Sequence, residues 1–451
     1  MASKSKRARM APQENLPRKF MYWAIAVLLV KIVIIFRIQG LNAGSGDRVY
    51  FVDGAWLGAD GENYLMGYFA LIRDGVFSTD SILNYWPAGY PLLIFVLSLL
   101  GKSWVLTTLS IVQSFIFSYA VYLFATQLTK TRLKKYSYLA FIVMIFNPTL
   151  SLSSIVVGYE SITASGILIT CAVIIKDFLE QNDKNFFKYL VANSLILSFL
   201  AFVQPRLIIS GVFILLLWIY IRKGFKYGIN YLVLALCILA IFPATLITRN
   251  YQALGLASIS TNLGVTMNIG AGDKATGGYR NEGFGVPCEL SGTSVEQDNQ
   301  RVRCVIDWYI SNPAKGLKLF YNKNLYFWSP WFGPLANGTM ARNPWLTISP
   351  LTNVAGTPDG YSLVFGGFGK VVSWLWMVGG ILLMVRGYFI LWLHGALERL
   401  IGNLAIVIII SNWILTLISI GDHRFRMPIM GLSLLLQSIG AKSLFLQKYN
   451  R

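Results

Sequence analysis

The stretch INYLVLALCILAIFPATLIT, at residues 229–248, decides the fold class. It has no Asp, Glu, Lys or Arg, and it has the length that an α-helix needs to cross a bilayer. Similar apolar runs recur along the 451 residues, which are 55% hydrophobic and only 13% charged. Because these runs lack the alternation typical of barrel strands, the sequence predicts an all-α polytopic membrane protein.

Ten such runs are expected to span the membrane. They lie near residues 21–38, 104–127, 136–150, 161–178, 189–204, 207–222, 229–248, 371–393, 401–420 and 428–446. Lys and Arg cluster in short connections, and the positive-inside rule then puts both termini in the cytoplasm. The run at residues 91–100 is too short to span, and counting it as a span would move the basic residues 130–135 outside. We therefore expect a short helix there, on the outer face.

This topology divides the chain into four parts. Residues 1–20 form a basic cytoplasmic tail, 21–248 an N-terminal transmembrane module, 249–370 a large external loop and 371–451 a C-terminal module. The first external loop is predicted at residues 39–103. The short cytoplasmic loops favour a bacterial plasma membrane, with both external loops facing outward.

The net charge of +19 would indicate a nucleic-acid partner in a soluble protein. Because membrane topology explains the charge here, no nucleic acid is expected. Cys288 and Cys304 share the large external loop, so a disulfide is predicted if that loop faces an oxidising compartment. Cys171 and Cys237 lie in apolar runs and are expected to be inert. No His or Cys cluster predicts a metal site, and a divalent ion held by carboxylates stays open as a cofactor.

A rare acidic cluster follows the first span. The chain has 20 acidic residues, and Asp53, Asp60 and Glu62 fall within ten positions beside the membrane. Carboxylates there can act as a general base or bind a cation, whereas the plain alternative is a solvated loop. Tyr64 begins an amphipathic pattern that Gly75 ends, which predicts a helix.

Other charged residues are predicted at the outer ends of spans. Glu160 is a candidate because an ionisable group at a span boundary is expensive to bury, although it could simply face water. Arg206 could balance a phosphate or, alternatively, extend its charge to the membrane surface. His423, Arg424 and Arg426 lie outside, against the positive-inside bias, and two guanidinium groups at this level suit a lipid phosphate.

The order of these motifs resembles that of the GT-C glycosyltransferases, particularly the branch of protein O-mannosyltransferases and aminoarabinose transferases. That branch has an essential acid in the first external loop, an amphipathic helix and a Pro-aromatic segment (here YWPAGYP, residues 85–91). Residues 424–428 resemble the Arg-aromatic-Arg-hydrophobic-Pro segment found before the last span in many polyprenyl-phosphate-dependent transferases. This chain has Asp60-Gly61-Glu62 where several such families have adjacent Asp and Glu. We take Asp60 as the leading base, supported by Asp53 and Glu62.

The resemblance implies a GT-C-like bundle with juxtamembrane helices and two external loops. It implies transfer of a sugar, with inversion, from a polyprenyl-phosphate donor in the membrane lipid to a glycan, lipid or protein acceptor. Glu160 would line the active cavity, and Tyr64, Trp86 and Tyr90 would line the acceptor or sugar cavity. The alternatives are a transporter or flippase for lipid-linked sugars, and a polysaccharide polymerase or ligase with a diphosphate-linked donor.

Overall fold

The structure is a computed structural model, and it describes residues 15–42, 61–278, 285–328 and 366–449. Over these ranges the chain is helical, and its only β-type pairing is an isolated bridge between Gly278 and Gly421. The α-helices are α1 (Leu16–Asn42), α2 (Gly61–Asp74), α3 (Ile82–Tyr85), α4 (Gly89–Ser98), α5 (Val105–Leu128), α6 (Lys134–Phe146), α7 (Pro148–Leu152), α8 (Glu160–Glu180), α9 (Asp183–Val203), α10 (Leu207–Leu254), α11 (Leu263–Ile269), α12 (Ser294–Ser311), α13 (Pro313–Trp328), α14 (Gly366–Leu393), α15 (Ala396–Ile418) and α16 (Met430–Tyr449). A 3-10 helix, His423–Ile429, precedes α16.

Seven helical segments in the described part of the chain are long and apolar enough to cross a membrane. They are Leu16–Phe36, Lys102–Leu128, Glu160–Glu180, Asp183–Val203, Leu207–Leu254, Ala396–Ile418 and Phe425–Phe445. The prediction of an all-α polytopic membrane protein is therefore confirmed.

The predicted span at residues 136–150 is not one straight helix. α6 ends at Phe146, and the axis bends by 56° before the next helical turns begin. The bend falls at Asn147 and Pro148: proline has no N–H for the ladder, and the Asn147 side chain instead accepts a 2.9 Å hydrogen bond from Leu150 N.

The chain reverses direction within α10. Gly224 has φ 71° and ψ 171°, which glycine adopts readily because it lacks a Cβ atom. A Cβ on Gly211 would lie 3.3 Å from Leu239, and one on Gly228 would lie 3.2 Å from Ile219. The two halves of α10 therefore run antiparallel, which agrees with the separate runs predicted at 207–222 and 229–248.

Buried polar groups of the bundle hold the irregular segment before α8. Gln113 Nε2 donates to the Val156 carbonyl at 2.8 Å, and Ser110 Oγ donates to Ile155 O at 2.9 Å. Lys31, in α1, donates to Ser154 Oγ at 3.0 Å. Because hydrocarbon offers no competing partner, these bonds are needed to satisfy the non-helical backbone.

The short helices of the first loop pack on the end of α9. The amphipathic helix predicted from Tyr64 is confirmed as α2, and Gly75, with φ 83°, follows it. α2 packs on α4, the ten-residue helix that occupies the predicted short run. A Cβ on Gly89 would lie 1.9 Å from the Phe202 carbonyl oxygen, so only glycine allows this approach.

The large loop contains α11, α12 and α13. Cys288 and Cys304 are joined in a disulfide, with Cα atoms 6.0 Å apart. Asp298 of α12 accepts a 2.8 Å hydrogen bond from Gly264 N at the start of α11, and burial raises the pKa of this carboxyl. The glycine-rich stretch at residues 270–278 turns against the segment before the 3-10 helix, where Gly421 N donates to Gly277 O at 2.7 Å.

Candidate functional site

The candidate site lies where α8 and α10 begin, beside the 3-10 helix. Glu160 opens α8 and is buried, in a first turn where the helix dipole favours a negative charge. Arg206 directly precedes α10, after a Gln-Pro pair that ends α9. The 3-10 helix packs against α8, α13 and α15. Three parts of the chain distant in sequence therefore meet at one end of the bundle.

Arg206 lies against two aromatic rings. Its guanidinium carbon is 3.9 Å from the ring centroid of Phe425 and 5.7 Å from that of Tyr159. Such stacking holds the planar guanidinium in place. Its Nε and Nη2 atoms are buried, and no residue in the described part of the chain accepts a hydrogen bond from them. Because a buried donor without an acceptor is costly, this guanidinium is prepared to bind an anion.

A cluster of aromatic residues covers the start of α8. The ring centroid of Tyr64 lies 5.1 Å from that of Tyr90, 6.0 Å from that of Tyr159 and 6.3 Å from that of Trp86. All three contacts are edge-to-face, the arrangement that the ring quadrupoles favour. α2 and the Pro-aromatic segment thus contribute to the same site as Glu160.

Tyr90 links the aromatic cluster to the backbone before α8. Its hydroxyl accepts from Gly158 N at 2.8 Å and donates to Gln113 Oε1 at 2.9 Å. Burial raises the pKa of this hydroxyl, and the nearby Glu160 charge adds to the increase. Tyr90 is therefore a neutral hydrogen-bonding anchor for the backbone two residues before Glu160.

Arg426 is the second described cation of the site. It is buried in the 3-10 helix, and its Nη1 lies 3.1 Å from Met377 Sδ on α14. His423 and Arg424 belong to the same 3-10 helix, but their side chains lie outside the described part of the structure.

The predicted site residues divide into two groups. Asp53 and Asp60 lie outside the described residues, as does the side chain of Glu62, the second residue of α2. The remaining predicted residues lie at the same helix ends: Tyr64, Trp86, Tyr90, Glu160, Arg206 and Arg426.

Tyr159, Phe425 and Gln113 were not predicted from the sequence. Tyr159 directly precedes Glu160 and Phe425 lies between two arginines, and an aromatic ring beside a charged residue is a natural stacking partner for a cation. Gln113 is an amide in the middle of an apolar run, and such a group requires a buried partner.

Lys323 is a further residue that the sequence did not single out. It is fully buried on α13, and its Nζ donates to Tyr309 Oη at 3.0 Å and to the Leu417 carbonyl at 3.0 Å. Burial lowers the pKa of Lys323 to about 7. The lysine thus binds the carboxyl end of α15, a few residues before the 3-10 helix that carries Arg426.

The described residues contain no group of three His, Cys, Asp or Glu side chains that could hold a metal ion. The site is a set of cations, the carboxylates of Glu160 and of Asp422, which acts electrostatically on Arg426, and aromatic rings at the end of membrane-spanning helices. No protein-family model matches the chain, and no curated protein matches its sequence. The function of the chain is consequently inferred from the chemistry of these residues.

Proposed function

We propose that the chain is an integral-membrane glycosyltransferase that moves a sugar from a polyprenyl-phosphate donor to an acceptor outside the membrane. One observation carries the proposal: the stacked Arg206 guanidinium has two buried nitrogens without an acceptor in the described part of the chain. A phosphate oxygen is the acceptor that best fits such a planar donor. The buried Arg426 on the neighbouring 3-10 helix supports the same assignment.

The reaction that we propose is a single in-line displacement. The acceptor hydroxyl oxygen attacks the anomeric carbon of the sugar while a carboxylate takes the hydroxyl proton. The bond from that carbon to the phosphate oxygen breaks, and its electron pair leaves with the lipid phosphate. Arg206 and Arg426 would stabilise the negative charge that develops there. The configuration at the sugar carbon is inverted.

Asp60 is our leading candidate for the base, with Asp53 and Glu62 in support. Glu160 is the carboxylate that opens α8, and we propose that it orients the sugar from the other side. The aromatic rings of Tyr64 and Trp86 would pack against the apolar face of the sugar ring, as aromatic side chains commonly do in binding pockets.

The proposal includes a GT-C-like topology of ten spans. The 48-residue α10 counts as two spans because the chain reverses at Gly224. The bent pair that begins with α6 counts as one, and α14, with its apolar part Met377–Leu393, counts as another. With the six other spanning helices these give ten. In that topology Glu160, Arg206 and the 3-10 helix share one face, which the positive-inside rule assigns to the outside.

A transporter for lipid-linked sugars is the less favoured alternative. A transport pathway would be expected to place charged groups near the middle of the membrane. Two basic side chains of the described spans are instead bonded within the bundle, Lys31 to Ser154 and Arg386 to Ser443. We therefore favour the enzyme.

The direct test is a transfer assay with the purified chain in liposomes. Polyprenyl-monophosphate sugars and polyprenyl-diphosphate sugars are supplied separately, each with a radiolabelled hexose or pentose. Transfer from the monophosphate donor supports the proposal, and transfer from the diphosphate donor alone would indicate a polymerase or ligase. Movement of the labelled lipid across the membrane without transfer would indicate a flippase.

Variants test the assigned roles. Two charge-assisted hydrogen bonds are worth roughly 3–6 kcal/mol, so Arg206→Gln should lower kcat/KM by about 10²–10⁴-fold. Arg399→Gln, which removes an arginine that stacks on Trp392 at the other end of the bundle, is the matched control and should keep full activity. Asp60→Asn should abolish transfer in a folded protein. Full activity of that variant would disprove the base assignment, and full activity of Arg206→Gln would disprove the phosphate site.

A further inference from the structure

A cavity of about 780 Å³ lies at the end of the bundle opposite to Arg206. It is formed where α1 and α6 begin and α16 ends. Its basic lining residues are Lys19, Arg132, Lys134, Lys135 and Lys442. No acidic side chain lines it among the described residues. The lining therefore selects for a negatively charged ligand.

The placement of these cations close together is electrostatically unfavourable. Lys134 and Lys135 begin α6, although positive charges are unfavourable at the amino end of a helix. The preceding loop is fixed in place: Arg132 N donates to the buried Glu398 at 3.1 Å, and Leu133 N donates to Thr131 Oγ1 at 3.0 Å. Arg132, Lys134 and Lys135 therefore stand close together on this fixed loop and helix start, and their repulsion is relieved when an anion binds between them.

The cavity lies beside a surface that suits lipid. Aromatic side chains near the start of the first span are exposed: Tyr22 by 64%, Trp23 by 45% and Tyr138, a lining residue, by 42%. Exposed Tyr and Trp at a span end mark the level of the lipid headgroups. Beyond them along α1, exposed Ile25 and Leu29 continue the apolar surface. A soluble phosphate compound would use the cations but would have no need of this surface.

We infer that this cavity binds the phosphate-bearing headgroup of an anionic membrane lipid, whose acyl chains lie along α1 and α6. The headgroup phosphate contacts the lysines of α6, and Lys442 closes the site from α16, where its Nζ donates to the Lys135 carbonyl. Basic pockets between membrane helices suit such headgroups. The site is separate from the proposed donor site, so neither inference depends on the other.

The test is native mass spectrometry of the full chain in detergent, with lipids added at defined concentrations. The probes are phosphatidylglycerol, phosphatidylcholine and inorganic phosphate. We expect one phosphatidylglycerol molecule to bind more tightly than the rest, and phosphatidylcholine to show no such site. In the variant Lys19→Gln/Lys134→Gln/Lys135→Gln this affinity should fall by about a hundredfold, taking about fivefold for each of the three lysines.

The control variant is Lys184→Gln/Lys188→Gln/Lys226→Gln. It removes three exposed lysines at the same end of the bundle, away from the cavity, and should keep the tight lipid. Equal loss of binding in both variants would overturn the inference, since general surface charge would then explain the effect. Displacement of the tight lipid by inorganic phosphate at comparable concentration would overturn the assignment to a lipid.

Discussion

Replacing Lys323 by Met should flatten the dependence of stability on pH. Lys323 is fully buried and its pKa is lowered from 10.5 to about 7. The unfolded chain therefore binds this proton more strongly than the folded protein does. It follows that the free energy of unfolding rises as the pH increases from about 7 towards 10.5, and that below about 7, where both forms are protonated, this lysine leaves it at its lower, constant value.

The size of the effect follows from the two pKa values. At pH 7 the unfolded lysine is fully protonated and the folded lysine is about half protonated, whereas at pH 9 only the unfolded one carries the charge. Integration over this interval gives a gain of about 2 kcal/mol between pH 7 and pH 9. The Lys323→Met variant lacks this titration, so the difference between the wild-type and variant curves should change by that amount.

The assay is thermal or denaturant unfolding in detergent between pH 6 and pH 9.5, with Lys323→Met compared with the wild type at each pH. Lys318→Met, at an exposed position on the same helix, is the control and should follow the wild-type curve. If the wild-type and Lys323→Met curves run parallel over the whole range, the buried lysine is not neutralised on folding and the reasoning is wrong.

Three further predictions concern contacts outside the proposed phosphate site. Gly89→Ala would bring a Cβ atom to 1.9 Å from a carbonyl oxygen at the end of α9, so it should cost about 1–3 kcal/mol or prevent folding, as size-exclusion chromatography would show. Arg249→Met removes a 3.0 Å hydrogen bond to the Val76 carbonyl and should speed hydrogen exchange in that turn, whereas unchanged exchange would contradict the contact. Cys288→Ser opens the disulfide with Cys304, whose sequence separation is 16; this should lower stability by about 3 kcal/mol, and addition of a reductant to the wild type should reproduce the loss.

Much of the helical fold could be predicted because the bilayer itself sets the length and composition of a span. The predicted spans differ from the observed helices at the helix ends and where a helix is broken. Residues 189–204 were predicted as a span, whereas α9 begins at Asp183, because Asn182 caps a polar first turn beyond the apolar run. The end of α6 at Phe146 was missed although Asn147 and Pro148 carry a helix-ending signal in the sequence, because the run was read across them.

The site residues that could be predicted from the sequence are charged residues beside apolar runs, where charge is unusual. Glu160 and Arg206 stand out at the ends of apolar runs, and the structure places both at the same helix ends. Lys323 gave no such signal, since its partner Leu417 lies 94 residues away along the chain and offers only a backbone carbonyl. A contact of that kind leaves no trace in the composition or spacing of the sequence.

The reversal at Gly224 has a consequence for the whole carboxyl-terminal half. As one straight helix, the 48 residues of α10 would be about 72 Å long, more than twice the thickness of the hydrocarbon core. Each crossing of the membrane exchanges inside for outside, so removing one crossing would invert every later segment. The 3-10 helix with Arg426 would then emerge on the opposite side from Arg206. Whether the number of membrane crossings brings Arg206 and Arg426 to the same side therefore depends on the reversal at one glycine with a positive φ. The assembly of one site from the two halves of the chain depends on it as well.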